Sequence, residues 1–315
     1  MPSFFFASTV QTRSQFTEIF DFIWPTATAM WNLRARVAEY LSANPDATDP
    51  ELKATFLQGS DINGSNLRRA CVQHSWEQQQ SAFARTLLVN VIAIFEAWIE
   101  ETLESIGKNT GTTAKELQYP TNPLTGAGGA MQAISQLAGV ESTLLKSNFY
   151  DALRRNREVD ASRVDALLVC YRYFKELRNC ELHYGGVAGQ RLIAAQNRLL
   201  AIRQPDQLGM TEIPQYYPAA IGSRIQLSLR GIVGLSHVVL KLISTFDAEL
   251  SRVKNAEHAF LARWKSKHSL MITLPSNPTA RQDRVARLAK SAGFPEPAKP
   301  GDLAPWLRSK RLVAF

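Results

Sequence analysis

Apolar residues recur at intervals of three and four along most of the chain, which is the spacing that places them on one face of an α-helix. One such stripe runs through residues 14–43, where Pro25 predicts a break or kink and Pro45 predicts the end. A longer helix is predicted over about 66–107, with Gly107 as its stop. Its second half is apolar nearly all round, which is typical of a buried central helix.

A capped helix is predicted in the second half of the chain. Ser162-Arg163-Val164-Asp165 has the S-x-x-D form of a capping box. Apolar residues then continue at helical spacing: Val164, Leu167, Leu168, Tyr171, Phe174 and Leu177. Gly185-Gly186 follows, and glycine readily adopts the left-handed backbone geometry on which helices commonly end.

The rest of the pattern predicts shorter helices and one small β element. The helices are expected at about 129–138, 141–155, 231–253, 279–291 and 302–310. Residues 211–213 and 225–229 are expected to pair as a short hairpin. The predicted fold class is therefore all-α, a helical bundle with a minor β-hairpin. We divide the chain into a helical N-terminal extension (1–65), a core (66–255) and a small basic C-terminal appendage (256–315).

Composition adds a preference for anionic partners. Of the 315 residues, 45% are hydrophobic, which is enough for a full core. The net charge of +8 and the isoelectric point of about 9.5 favour polyanions such as nucleic acid, although a basic surface can also serve solubility alone. Three basic clusters could contact an RNA backbone or form solvated surface: Arg154, Arg155 and Arg157; Arg263, Lys265 and Lys267 around Trp264; and Arg308, Lys310 and Arg311.

Cysteine and histidine usage argues against disulfide and metal chemistry. Cys71, Cys170 and Cys180 are an odd and sparse set without a C-x-x-C pair, which disfavours a disulfide framework and a zinc site. The other histidines are not spaced as metal ligands, and His237 lies on an apolar helix as a core residue would. No nucleotide-binding motif is present. We therefore expect neither a metal nor a cofactor.

The same sequence features predict a cytoplasmic protein without a membrane partner. The N-terminus lacks the basic region of a signal peptide. No stretch approaches the roughly 18 uncharged apolar residues of a spanning helix, because Asn90 and Glu96 interrupt the best candidate.

The candidate chemistry lies at the end of the capped helix, in Arg178-Asn179-Cys180-Glu181-Leu182-His183. Arg178 and His183 are five positions apart, which is about 140° around a helix. They can share one site only if the last turn loosens or if a second chain contributes. Asn179 and His183 are four apart and share a face.

These residue types suit RNA cleavage by the adjacent 2′-hydroxyl. A base must take the hydroxyl proton and an acid must protonate the leaving 5′-oxygen, and free histidine, with a pKa of about 6.5, can do either. An arginine fork can stabilise the more negative phosphorane. One histidine per chain is short of an acid–base pair, which a two-fold dimer would supply.

The string Arg-Asn-x-x-x-His resembles the motif of the HEPN superfamily, and the apolar segment around Phe95-Glu96-Ala97 resembles an early helix of several HEPN branches. The resemblance spans about residues 75–255 and implies a helical bundle that acts as a metal-independent endoribonuclease, in a bacterial toxin or anti-phage setting. It implies His183 as general acid–base, Arg178 as transition-state stabiliser, Asn179 as orienting group and Glu96 as their support.

The implied partners are RNA and a second copy of the chain, and the resemblance leaves room for a regulatory protein partner. In HEPN proteins modified on tyrosine, the tyrosine follows the histidine by two positions. Here Tyr184 follows His183 directly and Gly185 takes the expected place, so regulation by that modification is not implied.

Two other interpretations stay open. A non-catalytic HEPN-like domain would bind RNA or dimerise without cleaving. A helical scaffold could carry the motif by accident, because a cationic residue near a helix C-terminus is favourable for the helix dipole alone. Glu96 would then be an ordinary helical glutamate.

Overall fold

The computed structural model describes residues 4–62, 64–108, 111–122, 125 and 128–315. The fold is all-α, as the sequence predicts. In chain order the helices are α1 (Ala7–Ala43), α2 (Asp49–Phe56), α3 (Trp76–Ser105), α4 (Gly111–Glu116), α5 (Ala130–Leu137), α6 (Thr143–Leu145), α7 (Asp151–Arg154), α8 (Val164–His183), α9 (Gln190–Leu199), α10 (Leu229–Ser251), α11 (Ala256–Lys267), α12 (Pro278–Ser291) and α13 (Pro300–Ser309). Single turns of 3₁₀ or π geometry lie at Arg69–Gln73, Lys146–Tyr150, Ala161–Arg163 and Pro205–Leu208.

Three long helices, α3, α8 and α10, form the centre of the molecule. Phe95 and Trp98 of α3 stack on Phe246 of α10, with ring centroids 6.5 and 6.3 Å apart. Tyr171 of α8 packs edge-on against Phe95 at 4.8 Å. All four rings are fully buried. These aromatic contacts link the three helices and set the position of α3 relative to α8. Both of these helices carry predicted site residues.

The N-terminal helix α1 is continuous, and Pro25 lies inside it rather than at a break. Its first half packs on the central helices, where the indole Nε1 of Trp98 donates to Thr9 Oγ1 at 2.9 Å. Its second half forms a separate small apolar cluster around Val37 and Leu52. The helix ends at Ala43, as the following proline predicts.

The C-terminal elements pack on the same apolar core as the rest of the chain. The ring of Phe294 lies 4.4 Å from that of Phe260 and 5.4 Å from that of Phe5, so both ends of the chain meet. The domain boundaries at 65 and 255 stay a prediction, and the core crosses both of them.

The predicted β-hairpin is wrong. Residues 211–213 and 225–229 are all described and form no strand. The small sheet is instead parallel, with β1 (Ile272–Thr273) paired to β2 (Val313–Ala314). Leu227 is buried in the main core, and Ile213, Ile225 and Leu229 are partly buried against it, so packing rather than strand pairing accounts for the alternation of apolar residues.

The predicted capping box of α8 is also wrong. The helix begins at Val164, and Asp165 Oδ1 accepts from the backbone N–H of Thr121 instead of closing a cap. Asp160 lies two residues before Ser162. Its Oδ1 accepts from the N–H of Ser162 at 3.0 Å, and the 3₁₀ turn that begins there leads into α8. Carboxylates favour such N-terminal positions, and Asp160 takes the role assigned to Ser162.

Two described helices, α3 and α10, are long and apolar enough to cross a membrane, which corrects the prediction that no segment is. In α3, 44% of the apolar window is buried inside the molecule, and in α10 the fraction is 67%. Core helices meet the same criterion of length and composition, because they too must be apolar over much of their surface.

Four of the described helices were not predicted from the pattern: α2, α4, α9 and α11. α9 is short and carries buried Leu192, Ala195 and Leu199 on one face, with arginines on the other. It packs along α8 after the Gly185-Gly186 turn. This neighbour determines what surrounds the exposed side of α8.

Candidate functional site

Glu96, which the resemblance implies as a support of Arg178 and His183, forms an ion pair with Arg178. Glu96 projects from α3, and its Oε2 accepts from Arg178 Nη2 of α8 at 2.7 Å. The other carboxylate oxygen contacts the ammonium of Lys175, one turn earlier on α8. The three side chains are 16–28% exposed, so the cluster is partly buried and still open to solvent. One carboxylate thus holds two cations.

Lys175 was not predicted as part of this site. Its ammonium also contacts Gln118 Oε1, which ties the segment after α4 to α8. Burial lowers the pKa of Lys175, because it disfavours the charged ammonium, while the Glu96 carboxylate acts in the opposite direction. The spacing of three between Lys175 and Arg178 was the signal that both could reach one carboxylate.

A second network surrounds Asn179. Its Nδ2 donates to Glu176 Oε2 at 3.2 Å, and the other oxygen of Glu176 contacts the guanidinium of Arg172. Arg172 lies over the ring of Tyr119, 4.2 Å from the centroid. Asn179 therefore belongs to a chain of polar contacts along α8. The sequence did not predict the other members of this chain, which are Arg172, Glu176 and Tyr119.

Helix α8 stays regular up to His183. The backbone N–H groups of Tyr184 and Gly186 both donate to Cys180 O, at 3.1 and 2.9 Å. Gly185 and Gly186 have φ of +60° and +76°, the left-handed values expected of a glycine stop. The last turn is not loosened, so Arg178 and His183 diverge by about 140° around the helix within one chain.

His183 is exposed at the end of α8, and Tyr184 beside it is exposed as well. Their rings meet edge to face at 6.4 Å between centroids. The imidazole is accessible to a ligand or to a second chain. Within one chain, the structure brings together Glu96 and Arg178, and it places Asn179 and His183 on another face of the same helix.

A second ion pair fixes the end of α8 to α3. Arg85 Nε lies 2.7 Å from Oε2 of Glu181, the fourth residue of the six-residue motif. Together with the Glu96–Arg178 pair, this contact ties both helices at two levels. The position of the motif relative to α3 is therefore determined by two ion pairs and by the aromatic core beneath them.

Tyr171 adds an unusual feature below the Glu96 cluster. Its hydroxyl is buried and has no hydrogen-bond partner among the described residues. Burial, and next the nearby Glu96 carboxylate, raise the pKa of Tyr171 well above its ordinary value. The phenol therefore stays neutral, and it lies on the same side of α8 as Lys175 and Arg178.

Two other candidate residues are placed differently from prediction. Trp264 is fully buried, and Arg263 beside it donates to the carbonyl oxygens of Phe4 and Phe5, so this pair cannot offer RNA a stacking surface. His237 is exposed rather than a core residue, and it lines a cleft with Arg157 and Lys241. The Arg154–Arg157 cluster and the terminal cluster of Arg308, Lys310 and Arg311 are exposed.

Among the described residues, no three His, Cys, Asp and Glu side chains are grouped closely enough to hold a metal ion. Cys71, Cys170 and Cys180 are free thiols, and all three are buried. The groups available for chemistry around the end of α8 are a guanidinium, an ammonium, an amide and an imidazole.

Comparison with known proteins adds no family to this geometry. No family model matches the chain, and no curated protein or solved structure is significantly similar to it. Function therefore has to be argued from the site alone.

Proposed function

We propose that the protein is a metal-independent endoribonuclease of the HEPN type, with Arg178 and His183 as its catalytic residues. The observation that carries the proposal is the ion pair between Glu96 and Arg178. The resemblance to the HEPN motif implies Glu96 of an early apolar helix as a support of Arg178 and His183, and a Glu96–Arg178 pair joins α3 to α8. The toxin or anti-phage setting rests on the resemblance alone.

The Glu96 carboxylate would orient Arg178 and leave part of its donor fork for a phosphate. Arginine has five N–H donors, and the contact with Glu96 Oε2 is made by Nη2. A guanidinium held in this way is well suited to stabilise the charge that builds up on a pentacoordinate phosphorus. Lys175 would add a second positive charge beside it.

His183 would transfer the protons. In the reaction the 2′-oxygen bonds to the adjacent phosphorus as its proton passes to a base, and the bond from phosphorus to the 5′-oxygen breaks as that oxygen takes a proton from an acid. The products are a 2′,3′-cyclic phosphate and a free 5′-hydroxyl. No electrons are exchanged, and water is not consumed in this step.

The divergence of Arg178 and His183 makes the proposal also a proposal about assembly. Within one chain the two side chains lie on different sides of α8, and the single imidazole can serve as acid or base but not as both in one step. A two-fold dimer would bring a second His183 and Arg178 to the same phosphate. Sedimentation at tens of micromolar should give the mass of a dimer, and a monomer would contradict the composite site.

The proposal is tested by incubating the protein with RNA in excess chelator. Wild type, Arg178→Ala and His183→Ala are compared, together with Arg284→Ala as a control that removes an exposed arginine on α12. We expect cleavage by wild type and the control, with a loss of about 10²-fold or more in the two site variants. A single 2′-deoxy substitution should block cleavage at its position.

Equal cleavage by all four proteins would overturn the mechanism, and so would a complete need for a divalent ion. A non-catalytic RNA-binding domain is the second candidate function, because the exposed basic clusters at residues 154–157 and 308–311 suit an RNA backbone. That alternative predicts that His183→Ala binds RNA as wild type does and that none of the proteins cleaves.

A further inference from the structure

A basic cleft lies between α8 and α9, outside the Glu96–Arg178 cluster. It has a volume of about 330 Å³ and is walled by Arg172 and Glu176 of α8, Arg191 and Arg198 of α9, and Tyr119. Three guanidinium groups face one carboxylate, which leaves a net charge of +2. The volume suits one phosphate with its sugar rather than a large cofactor.

The two arginines of α9 are available to a ligand. Arg191 and Arg198 are exposed, and seven positions place them on the same face of the helix, about 10 Å apart along its axis. Within the described part of the chain, neither forms an ion pair. Ala194 and Ala195 between them leave the space open. Arg172, in contrast, is neutralised by Glu176 and is fixed in place.

Tyr119 offers a flat surface at the mouth of this cleft. One face of its ring is covered by the guanidinium of Arg172 at 4.2 Å, and the residue is 45% exposed. An aromatic ring with one open face stacks on a nucleobase of any sequence. Arg172 behind the ring would strengthen the stack through its cation–π contact.

Helix geometry places the α8 wall of the cleft on the same side of α8 as His183. Arg172, Glu176, Asn179 and His183 lie within about 60° of one another around the helix, and Glu176 is only about 10 Å from His183 along the axis. A strand that leaves the cleft in this direction passes Asn179 and arrives at the exposed imidazole. Arg178, on another side of α8, does not face the cleft.

We propose that this cleft binds a single-stranded RNA segment, with phosphates on Arg191 and Arg198 and one base on Tyr119, and thereby directs the strand to His183. The inference rests on the proposed function in taking RNA as the ligand. It adds the surface that holds the substrate and gives α9 the role of binding its phosphates. It also adds a preference for single strands, because their bases are free to stack.

Binding is measured by fluorescence anisotropy with a labelled single-stranded RNA of about 12 nucleotides in which every ribose is 2′-O-methylated, so that it cannot be cleaved. Arg191→Ala with Arg198→Ala is compared with Arg36→Ala with Arg284→Ala, which removes two exposed helical arginines elsewhere. The cleft variant should bind about tenfold or more weakly at 0.15 M salt, and its slope of log K against log salt should fall by about 1.4. The control should keep the wild-type slope.

A second pair of variants tests the stacking surface. Tyr119→Ala should weaken binding by about tenfold, while Tyr119→Phe, which keeps the ring, should bind as wild type does. A duplex of the same sequence should bind more weakly than the single strand. Unchanged affinity and salt slope in the double arginine variant would overturn the proposal, and so would equal binding by the two Tyr119 variants.

The two proposals fail in different ways. Cleavage of unmodified RNA by a double arginine variant with wild-type binding would contradict the cleft and leave the nuclease standing. Binding that depends on the cleft without any cleavage would contradict the nuclease and leave the cleft standing. Thermal unfolding at the wild-type temperature shows that each variant is folded, and Arg191→Gln with Arg198→Gln provides a second form of the variant.

Discussion

Arg178 Nη2 lies 2.7 Å from Glu96 Oε2, so two residues 82 positions apart in the sequence form one partly buried ion pair. The contact joins the central helix α3 to the end of α8. Because Lys175 shares the same carboxylate, loss of Glu96 leaves two cations without their counter-charge.

Glu96→Gln should therefore lower both stability and activity. The loss of unfolding free energy should be about 1–3 kcal/mol, between the values for exposed and for fully buried pairs. Cleavage should fall by about 10–100-fold, because Arg178 is no longer held in place. Glu100→Gln, on an exposed position one turn further along α3, is the matched control. Equal effects of the two changes, by chemical denaturation and by RNA cleavage, would contradict a special role for Glu96.

Tyr171→Phe should not destabilise the protein. The hydroxyl of Tyr171 is buried without a partner among the described residues, so its removal relieves an unfavourable desolvation of about 1 kcal/mol. Tyr173→Phe is the matched comparison, because its buried hydroxyl donates to the carbonyl of Tyr217 at 3.3 Å. The Tyr173→Phe variant should lose about 1 kcal/mol of unfolding free energy. Urea unfolding of both variants checks the difference in sign.

Asp247 should give the stability a pH dependence. Its carboxylate accepts from the N–H groups of Phe5 and Phe6 at 2.8 and 3.0 Å, but burial outweighs these bonds and raises the pKa of Asp247 to about 6. The folded state thus binds the proton more tightly than the unfolded chain does. The contribution of this group is greatest below about pH 4 and is lost as the pH rises through about 6.

The measurement is the difference in unfolding free energy between wild type and Asp247→Asn, followed from pH 4 to pH 7. The comparison removes the effect of other titrating groups. As the pH rises, wild type should lose unfolding free energy relative to Asp247→Asn, by an amount on the order of 3 kcal/mol. A difference that stays constant with pH would show that Asp247 does not titrate in this range.

Gly186→Ala should disturb the end of α8. Gly186 has φ of +76° and donates its N–H to Cys180 O at 2.9 Å, a geometry that costs a side-chain-bearing residue about 1–2 kcal/mol. Gly64→Ala, at an open position without positive φ, should change stability little. Because His183 lies three residues before Gly186, cleavage should fall in the first variant and not in the second.

The sequence by itself determined the class of fold and the local chemistry. Apolar spacing predicted α3, α8 and α10, since amphipathic periodicity is a local property, and glycine at positions 185 and 186 predicted the helix stop. The resemblance to the HEPN motif named Glu96 as a support for Arg178 and His183, and in the fold it pairs with Arg178.

The tertiary structure decided what surrounds these elements. The pairing of Ile272 with Val313, the position of α9, and the gathering of Lys175, Gln118 and Tyr119 around α8 depend on contacts between distant segments, which no local pattern encodes. The last turn of α8 is regular, and the Arg85–Glu181 pair joins it to α3. For that reason the sequence could name Arg178 and His183, but only the fold shows that they point to different sides of one helix.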